Sequence, residues 1–214
     1  MQSIWSVFQY LPGVITGFTI HEFSHAWTAN RLGDPTARLQ GRMSLNPVRH
    51  LDKTGFLLLL LTGFGWAKPV QFTEENLGHP KRDKALIALA GPLSNIVFAL
   101  LILVSVKFLL RREAVTAFLR RNLSYDAIVF TVDLVLRTAA VNLGMACFNL
   151  IPIPPLDGSR IFLSGFDFSP VTEAKITRAG GLLLLLIILA ERVFDIHIIN
   201  FSRFIGWLFQ LVLM

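Results

Sequence analysis

Residues 85–106 form a run of 22 residues without a charged side chain, and this run limits the possible folds more than any other feature. About 20 apolar residues in a helix cross the hydrocarbon core of a bilayer, which is about 30 Å thick. A helix suits that medium because it satisfies its own backbone polar groups. Gly91 and Pro92 interrupt the run, and both residue types are common in membrane helices. The run therefore predicts a transmembrane helix.

The composition extends this prediction to the whole chain. Only 16% of the residues are charged, whereas a soluble domain has about 25%. The 214 residues fit one domain, so we expect a single membrane-embedded domain over residues 1–214. The net charge of +6 comes from basic residues that flank apolar runs, where such residues set topology and contact anionic lipids. This distribution argues against nucleic acid as a partner.

The distribution of basic residues predicts the orientation of the chain in the cell membrane. Residues 4–20 are largely apolar, and residues 31–84 carry nine Lys and Arg side chains. The positive-inside rule places that basic segment in the cytoplasm and the N-terminus outside. Further apolar runs follow, the last two within residues 171–214. We therefore predict an all-α, multi-pass membrane protein with about five transmembrane helices.

The most distinctive motif, His21-Glu22-Phe23-Ser24-His25, follows the first apolar run. Residues four apart lie on one face of a helix, so His21 and His25 can present two imidazoles to one metal ion. In zinc proteases two His in this pattern bind Zn²⁺, and the Glu between them is the general base. The competing interpretation is a pair of buried, hydrogen-bonded histidines. Ionisable groups within the lipid thickness are functional candidates.

Two segments of the basic region predict local structure. Apolar and polar side chains alternate over residues 37–45, and this period of two predicts a strand with one apolar face. Residues 56–61 are apolar but too short to cross, and Gly63, Gly65 and Pro69 follow. We expect a small membrane-associated β-hairpin or re-entrant segment. It either binds unfolded substrate by strand addition or has a purely structural role.

A second polar motif follows the charge-free residues 138–151. Three prolines within residues 152–155 cannot continue a helix, and they lead into Asp157-Gly158. The number of crossings places Asp157 on the same side as His21 and His25. Two interpretations stay open: Asp157 supplies an oxygen ligand to a metal, or it only forms an Asp-Gly turn.

Three motifs in this order resemble the site-2 protease family of intramembrane zinc metalloproteases. They are His21-Glu22-Phe23-Ser24-His25, Gly91-Pro92-Leu93-Ser94-Asn95, and Asn149 with Pro152, Pro154 and Asp157-Gly158. The resemblance covers about residues 5–165, which we take as the catalytic core. Residues 44–52 also resemble the compact prokaryotic branch, which lacks a PDZ domain.

The resemblance implies a role for each motif residue. It implies that His21, His25 and Asp157 bind one zinc ion per chain and that Glu22 is the catalytic base. It also implies that Asn149 helps to hold the substrate carbonyl or oxyanion.

The resemblance also implies an architecture and a substrate class. The expected core has three helices that carry the site, and the site opens toward the cytoplasm. The expected activity is cleavage of other membrane proteins within or near their transmembrane segments, in regulated intramembrane proteolysis or signal-peptide remnant clearance. Asn95 and His50 match motif positions and are assigned support or substrate-binding roles. Nothing in the sequence indicates an oligomeric state.

Two functions of other classes remain alternatives. A membrane metal transporter also uses His and carboxylates in helices, but it distributes its ligands along a path and shows weak repeats. This chain clusters its candidates and shows no repeat. An inactive relative that binds membrane helices is the second alternative.

Overall fold

The computed structural model describes residues 4–62, 65–194 and 200–214. Helices account for most of these residues, and they are connected by turns and short extended segments. The helices are α1 (Ile4–Arg31), α2 (Thr36–Leu39), α3 (Lys53–Thr62), α4 (Pro80–Leu110), α5 (Glu113–Asn122), α6 (Tyr125–Asn149), α7 (Asp157–Leu163), α8 (Pro170–Phe194) and α9 (Ser202–Leu213).

The long helices begin at residues that satisfy their free N–H groups. Pro80 starts α4, where a missing N–H group costs nothing. Asp83, in the first turn, accepts a hydrogen bond from the His79 N–H at 2.8 Å. Ser124 caps α6, and its hydroxyl accepts from the Ala127 N–H at 3.3 Å. These caps explain why both helices begin just before their apolar runs.

Helices α1, α4 and α6 pack against one another and form the centre of the molecule. Gly13 and Gly17 lie one turn apart on α1 and face α6. A Cβ added to Gly13 would lie 2.9 Å from the Cβ of Val141, and one added to Gly17 would lie 3.0 Å from the Met145 methyl group. Small residues at this spacing let two membrane helices approach closely.

A second contact surface joins α4 to α6 and α9. Ala99 and Leu103 of α4 and Ala139 and Leu143 of α6 are fully buried together. Partly buried apolar side chains of α9 cover this cluster. The short helix α9 therefore closes one side of the three-helix core.

Two helices in the described ranges are long and apolar enough to cross a membrane: α4, with a mean hydropathy of 2.4, and α6, with 1.5. With 31 residues, α4 is about 46 Å long, which exceeds the hydrocarbon core. The structure thus supports an all-helical membrane protein, but it does not confirm the five crossings predicted from the sequence.

The strand predicted over residues 37–45 is wrong. Residues Thr36–Leu39 form α2, and Gly41 has a φ of +68°, which no regular strand accommodates. The alternation does not mark a buried face either, because Leu39 is 77% exposed and Leu45 is 62% exposed, although Ala37 is buried. The packing of Ala37 against Ala26 and Val70 is a tertiary contact, and it overrides the strand that the alternation of apolar and polar residues predicts.

The segment expected to form a hairpin or re-entrant element contains the helix α3. After α3 the chain turns back, and residues 65–72 are called the extended return below. Helix α3 contains the apolar residues 56–61, and the chain runs back in extended form over residues 65–72. The antiparallel bridge between Leu51 and Ala67 is isolated, so the β-hairpin is not confirmed in the described part of the chain. Gly63 lies outside the described residues.

A buried carboxylate connects the end of α1 to this return. Asp34 is fully buried and accepts hydrogen bonds from the Thr36 N–H (3.1 Å) and hydroxyl (2.5 Å), the Thr73 N–H (2.9 Å) and the Asn76 amide (2.8 Å). Burial alone would raise the pKa of Asp34, but these donors hold it below its usual value.

We expect the Asp34→Asn variant to unfold more easily at neutral pH, by about 1.5–3 kcal/mol, because it loses charge-assisted hydrogen bonds. A carboxyl whose pKa is lowered by folding stabilises the protein above its unfolded-state pKa, and this contribution is lost as pH falls below about 4. Chemical unfolding in detergent micelles, followed from neutral to acidic pH, measures both effects.

The matched control for this prediction is Asp167→Asn. Asp167 is highly exposed and pairs with Lys81 at 2.6 Å, and such surface pairs contribute about 0–1 kcal/mol. A variant of Asp34 that keeps the wild-type stability and its acid sensitivity would contradict the assigned role of this carboxylate.

Candidate metal centre

The two histidines of the first motif lie together on α1, where the sequence placed them. His21 and His25 are one turn apart and buried, and their ring centroids are 4.5 Å apart with perpendicular planes. The two Nε2 atoms are separated by 3.0 Å. Helix geometry alone therefore brings two potential ligand atoms to one point.

Asp157 approaches the same point from a different part of the chain. It is the first residue of α7, and its Oδ2 atom lies 3.0 Å from the Nε2 of His21 and 3.2 Å from the Nε2 of His25. A Cβ on the next residue, Gly158, would collide with the carbonyl group of Leu150. The turn after α6 therefore folds tightly enough to bring Asp157 under α1.

The remaining ring nitrogens fix the tautomer of each histidine. The Nδ1–H of His25 donates to the carbonyl oxygen of Ile87 at 2.6 Å. The Nδ1–H of His21 donates to the Oδ1 atom of Asn95 at 2.9 Å. Since Nδ1 carries the proton in both rings, each Nε2 presents a lone pair.

These lone pairs test whether a metal fits the site. Two Nε2 atoms and the Oδ2 of Asp157 converge, and this buried oxygen has no hydrogen-bond donor. Three lone pairs at one point repel one another unless a cation lies between them. A tetrahedral zinc ion with ligand distances near 2.0–2.1 Å separates its ligands by about 3.3 Å, close to the separations seen here. The donor set therefore fits zinc.

Asn95 is held in the orientation that His21 requires. Its Nδ2 group donates to the Oδ1 of Asn142 at 2.8 Å and to the carbonyl of Gly17 at 3.2 Å. The Nδ2 of Asn142 donates to the carbonyl of Thr138 at 2.8 Å. Because the donors of Asn95 are engaged in this way, its oxygen faces His21.

Glu22 follows His21 on α1 and is not among the three converging groups. It is buried, and its Oε2 atom accepts a hydrogen bond from the Val70 N–H at 2.8 Å. Val70 belongs to the extended return after α3. Within the described residues, the second carboxylate oxygen, Oε1, forms no hydrogen bond.

A single cavity brings the predicted catalytic and metal-binding residues together. It has a volume of about 720 Å³, and most of its lining is apolar. His21, Glu22, His25 and Asp157 line it, as does Asn149 at the end of α6. Asn149 donates one amide hydrogen to the Met145 carbonyl at 3.0 Å, so its second amide hydrogen is free for another acceptor.

Two predicted residues, Asn95 and His50, are not part of this cavity lining. Asn95 contacts His21 instead, and His50 lies in the loop before α3. It is fully buried, and its Nε2–H donates to the carbonyl of Ser44 at 2.6 Å. Burial lowers the pKa of His50, and the charge of Arg42 lowers it further. The side-chain contact of His50 thus stays within its own loop.

Sequence reasoning missed three contributors: Asn142, Arg42 and the backbone N–H of Val70. Asn142 left a signal in the sequence, since it is a polar amide within the charge-free residues 138–151. Arg42 was counted only as part of a basic cluster. A backbone N–H group leaves no mark in a sequence.

We expect Asn142→Leu to weaken zinc binding by about 10–100-fold, although Asn142 does not contact the site. Removing the acceptor for Asn95 lets that amide turn, and loss of such supporting partners typically has this effect. Competition with a chromophoric chelator measures the affinity. Asn122→Leu is the matched control, because Asn122 is exposed at the end of α5 and donates to the Phe118 carbonyl within its own helix. Equal zinc affinity in the two variants would remove Asn142 from the site.

The geometry defines a class: a helical membrane protein with a buried two-His, one-Asp centre and an adjacent Glu. The family model of peptidase family M50 matches residues 10–189. "Putative zinc metalloprotease YwhC" of Bacillus subtilis is 37% identical over 168 residues, which cover 78% of this chain and 72% of that protein. "Putative zinc metalloprotease MJ0611" of Methanocaldococcus jannaschii is 30% identical over 156 residues, 71% of this chain and 67% of that protein.

A further relative is "Putative zinc metalloprotease Rip2" of Mycobacterium tuberculosis, which is 29% identical over 153 residues. The match spans 69% of this chain and about half, 53%, of that relative. No solved structure matches the fold significantly. The chain belongs to peptidase family M50, the zinc-dependent site-2 protease family. The family and the zinc cofactor predicted from the sequence are thereby confirmed.

Proposed function

We propose that this chain is an intramembrane zinc endopeptidase that hydrolyses peptide bonds within or near transmembrane segments of other membrane proteins. The observation that carries the proposal is the buried convergence of His21, His25 and Asp157 beside Glu22 in a mostly apolar cavity. Membership of a family of zinc-dependent site-2 proteases supports it.

Each residue has a chemical role in this proposal. His21, His25 and Asp157 would hold the zinc ion, which when bound would lower the pKa of a water ligand and polarise a carbonyl group. Glu22 takes the proton of the attacking water on Oε1 and later delivers it to the leaving amide nitrogen. The free amide hydrogen of Asn149 donates to the developing oxyanion of the substrate.

The cavity supports a substrate that is itself apolar. An apolar lining offers few hydrogen-bonding partners to a polar, soluble peptide, but it matches the apolar side chains of a membrane segment. A transmembrane helix conceals its carbonyl groups in hydrogen bonds, so cleavage requires local unwinding. Five residues of the extended return, all between positions 65 and 70, line the same cavity. An unwound substrate segment would lie against them.

The proposal includes the arrangement in the membrane. The chain acts as one domain over residues 1–214, with its catalytic core in about residues 5–165. It crosses the cell membrane several times, with the N-terminus outside and the site open to the cytoplasm, as the nine basic residues of 31–84 indicate. Membrane lipids are its other expected contacts.

The structure favours the peptidase over the metal transporter. In the described ranges, His21, His25 and Asp157 are the one group of three ligating side chains close enough to hold a metal. A transporter needs a succession of sites along a path. The inactive relative is disfavoured because Glu22 is present and lies in the same cavity as the ligands.

Purified protein in proteoliposomes tests the three functions together. Zinc content, cleavage of a reporter with a single transmembrane segment, and zinc flux into the vesicles are measured on one preparation. The proposal expects about one zinc per chain and cleavage that stops with a chelator and returns with zinc. Flux without cleavage would identify a transporter, and zinc-free protein that neither cuts nor transports would identify an inactive binder.

A further inference from the structure

The extended return beside the metal centre is held at its backbone by a neighbouring loop. The Lys68 N–H donates to the carbonyl of His50 at 2.7 Å, and the Lys68 carbonyl accepts a hydrogen bond from the guanidinium of Arg42. One residue earlier, Ala67 forms the antiparallel bridge with Leu51. Both the N–H and the carbonyl group of Lys68 are therefore hydrogen-bonded, and neither bond involves its side chain.

Arg42 holds the loop as well as the return. One Nη atom donates to the carbonyl of Lys68 and the other to the carbonyl of Arg49. The planar fork of a guanidinium is suited to two acceptors at once, which an ammonium group is not. Arg42 thus joins two segments of the chain that are far apart in sequence.

The environment of Arg42 is unusual for a surface loop. The side chain is only 6% exposed, and within the described part of the chain it forms no ion pair with a carboxylate. Burial lowers the pKa of its guanidinium, and the negative charge of Glu22 opposes this. A buried charge is costly unless it is hydrogen-bonded or paired, and here the carbonyl oxygens of Arg49 and Lys68 accept hydrogen bonds from it.

The extended return contacts Glu22 through the backbone of Val70. Val70 lies two residues after Lys68, and its N–H group donates to the Oε2 of Glu22 at 2.8 Å. A general base must be held within hydrogen-bond reach of the proton that it removes. With Oε2 occupied by a backbone donor, Oε1 is the carboxylate oxygen left for chemistry in the cavity that Glu22 lines.

We propose that Arg42 is a positioning residue for Glu22. By holding Lys68, it places the Val70 N–H against one carboxylate oxygen. This role rests on the proposed peptidase function, since it concerns the orientation of the base in that reaction.

The variants Arg42→Gln and Arg42→Lys test this role in detergent-solubilised full-length protein with the single-span reporter. Because misplacement of a catalytic group by about 1 Å costs about 100-fold in rate, we expect Arg42→Gln to lower kcat by about that factor. Zinc content stays at the wild-type value, because none of the three ligands lies on the return, and kcat falls by a larger factor than KM changes. Arg42→Lys recovers part of kcat, since it restores the charge and one of the two contacts. The control Arg38→Gln, an exposed residue of α2, keeps the wild-type kcat.

Val70→Pro provides a second route, because it deletes the N–H donor and leaves Arg42 in place. If both residues act through one hydrogen bond, the double variant loses little more than either single variant. Fully additive losses, or a wild-type kcat in Arg42→Gln, would overturn the proposal. So would an Arg42→Gln protein that fails only by losing zinc while Val70→Pro retains full activity.

Failure of this proposal is distinguishable from failure of the peptidase function. If wild-type and Arg38→Gln protein bind zinc but leave the reporter uncut, the peptidase function fails, and the role of Arg42 fails with it. If both cut the reporter and Arg42→Gln cuts equally well, only the role of Arg42 is overturned.

Discussion

The Glu22→Gln variant is expected to bind zinc like the wild type and to lose about 10²–10⁴-fold in turnover, the usual contribution of a positioned general base. Glu22 is not among the three converging ligands, so the metal centre stays intact. The Gln side chain still has an oxygen that accepts from the Val70 N–H, so its position is preserved. An amide, however, cannot take the proton of the attacking water. Zinc content and reporter cleavage are measured on the same preparation.

Glu75→Gln is the control for this variant. Glu75 lies in an exposed turn before α4, and the same loss of charge there should leave turnover unchanged. Wild-type cleavage by the Glu22 variant would exclude Glu22 as the base and would direct attention to another proton acceptor in the cavity.

The Gly91→Ala variant is expected to lose zinc affinity by about 100-fold or more, the upper end of the losses seen when supporting groups are removed. Gly91 lies on α4 directly against the two imidazoles. An added Cβ would lie 2.5 Å from the Nε2 of His25 and 2.6 Å from the Cε1 of His21. Neither ring can retreat easily, because Asn95 and the Ile87 carbonyl hold them from behind. One methyl group therefore displaces both ligands.

The same substitution elsewhere separates this effect from general destabilisation. Gly206 of α9 has no atom within 4 Å of a built Cβ, and Ala is favoured over Gly in a helix by up to about 1 kcal/mol. Gly206→Ala should retain zinc affinity and thermal stability. Chelator competition and thermal unfolding of both variants provide the comparison. Tight zinc binding by Gly91→Ala would show that the rings lie further from α4 than the structure places them.

Much of the metal centre was predictable because its central part is local. The spacing of His21 and His25 determines their shared helix face before any tertiary contact forms. The prolines before Asp157 predicted that α6 ends there, as it does at Asn149. What the residues alone left open was whether Asp157 is a ligand or a turn residue. Its Oδ2 lies 3.0 and 3.2 Å from the Nε2 atoms of the two rings, which favours the ligand interpretation.

The support for the centre was not predictable, because it comes from contacts between distant segments. Asn142 reaches His21 only through Asn95, across three helices. Arg42 reaches Glu22 only through the backbone of the return at Lys68 and Val70. No periodicity or motif records such contacts. Only the packing of α1, α4 and α6, and the path of the loop between α2 and α3, bring these residues together.

The wrong strand prediction also shows that a local sequence pattern does not determine contacts between distant segments. Alternation over residues 37–45 is a local pattern, and local patterns are weak where a segment has its own tight turns. Gly41 adopts a positive φ, and Ala37 is buried against Ala26 and Val70. Most of the apolar residues that suggested a strand face stay at the surface.

By itself, the sequence determined the membrane-embedded helical class, the pairing of His21 with His25 and the residue that can act as base. These follow from hydrophobicity and helix periodicity, which operate over a few turns of chain. The tertiary structure decided which acid approaches the two imidazoles, which nitrogen of each ring faces that acid and which backbone donor contacts Glu22. Those outcomes depend on distances between segments more than 40 residues apart, which only the folded packing determines.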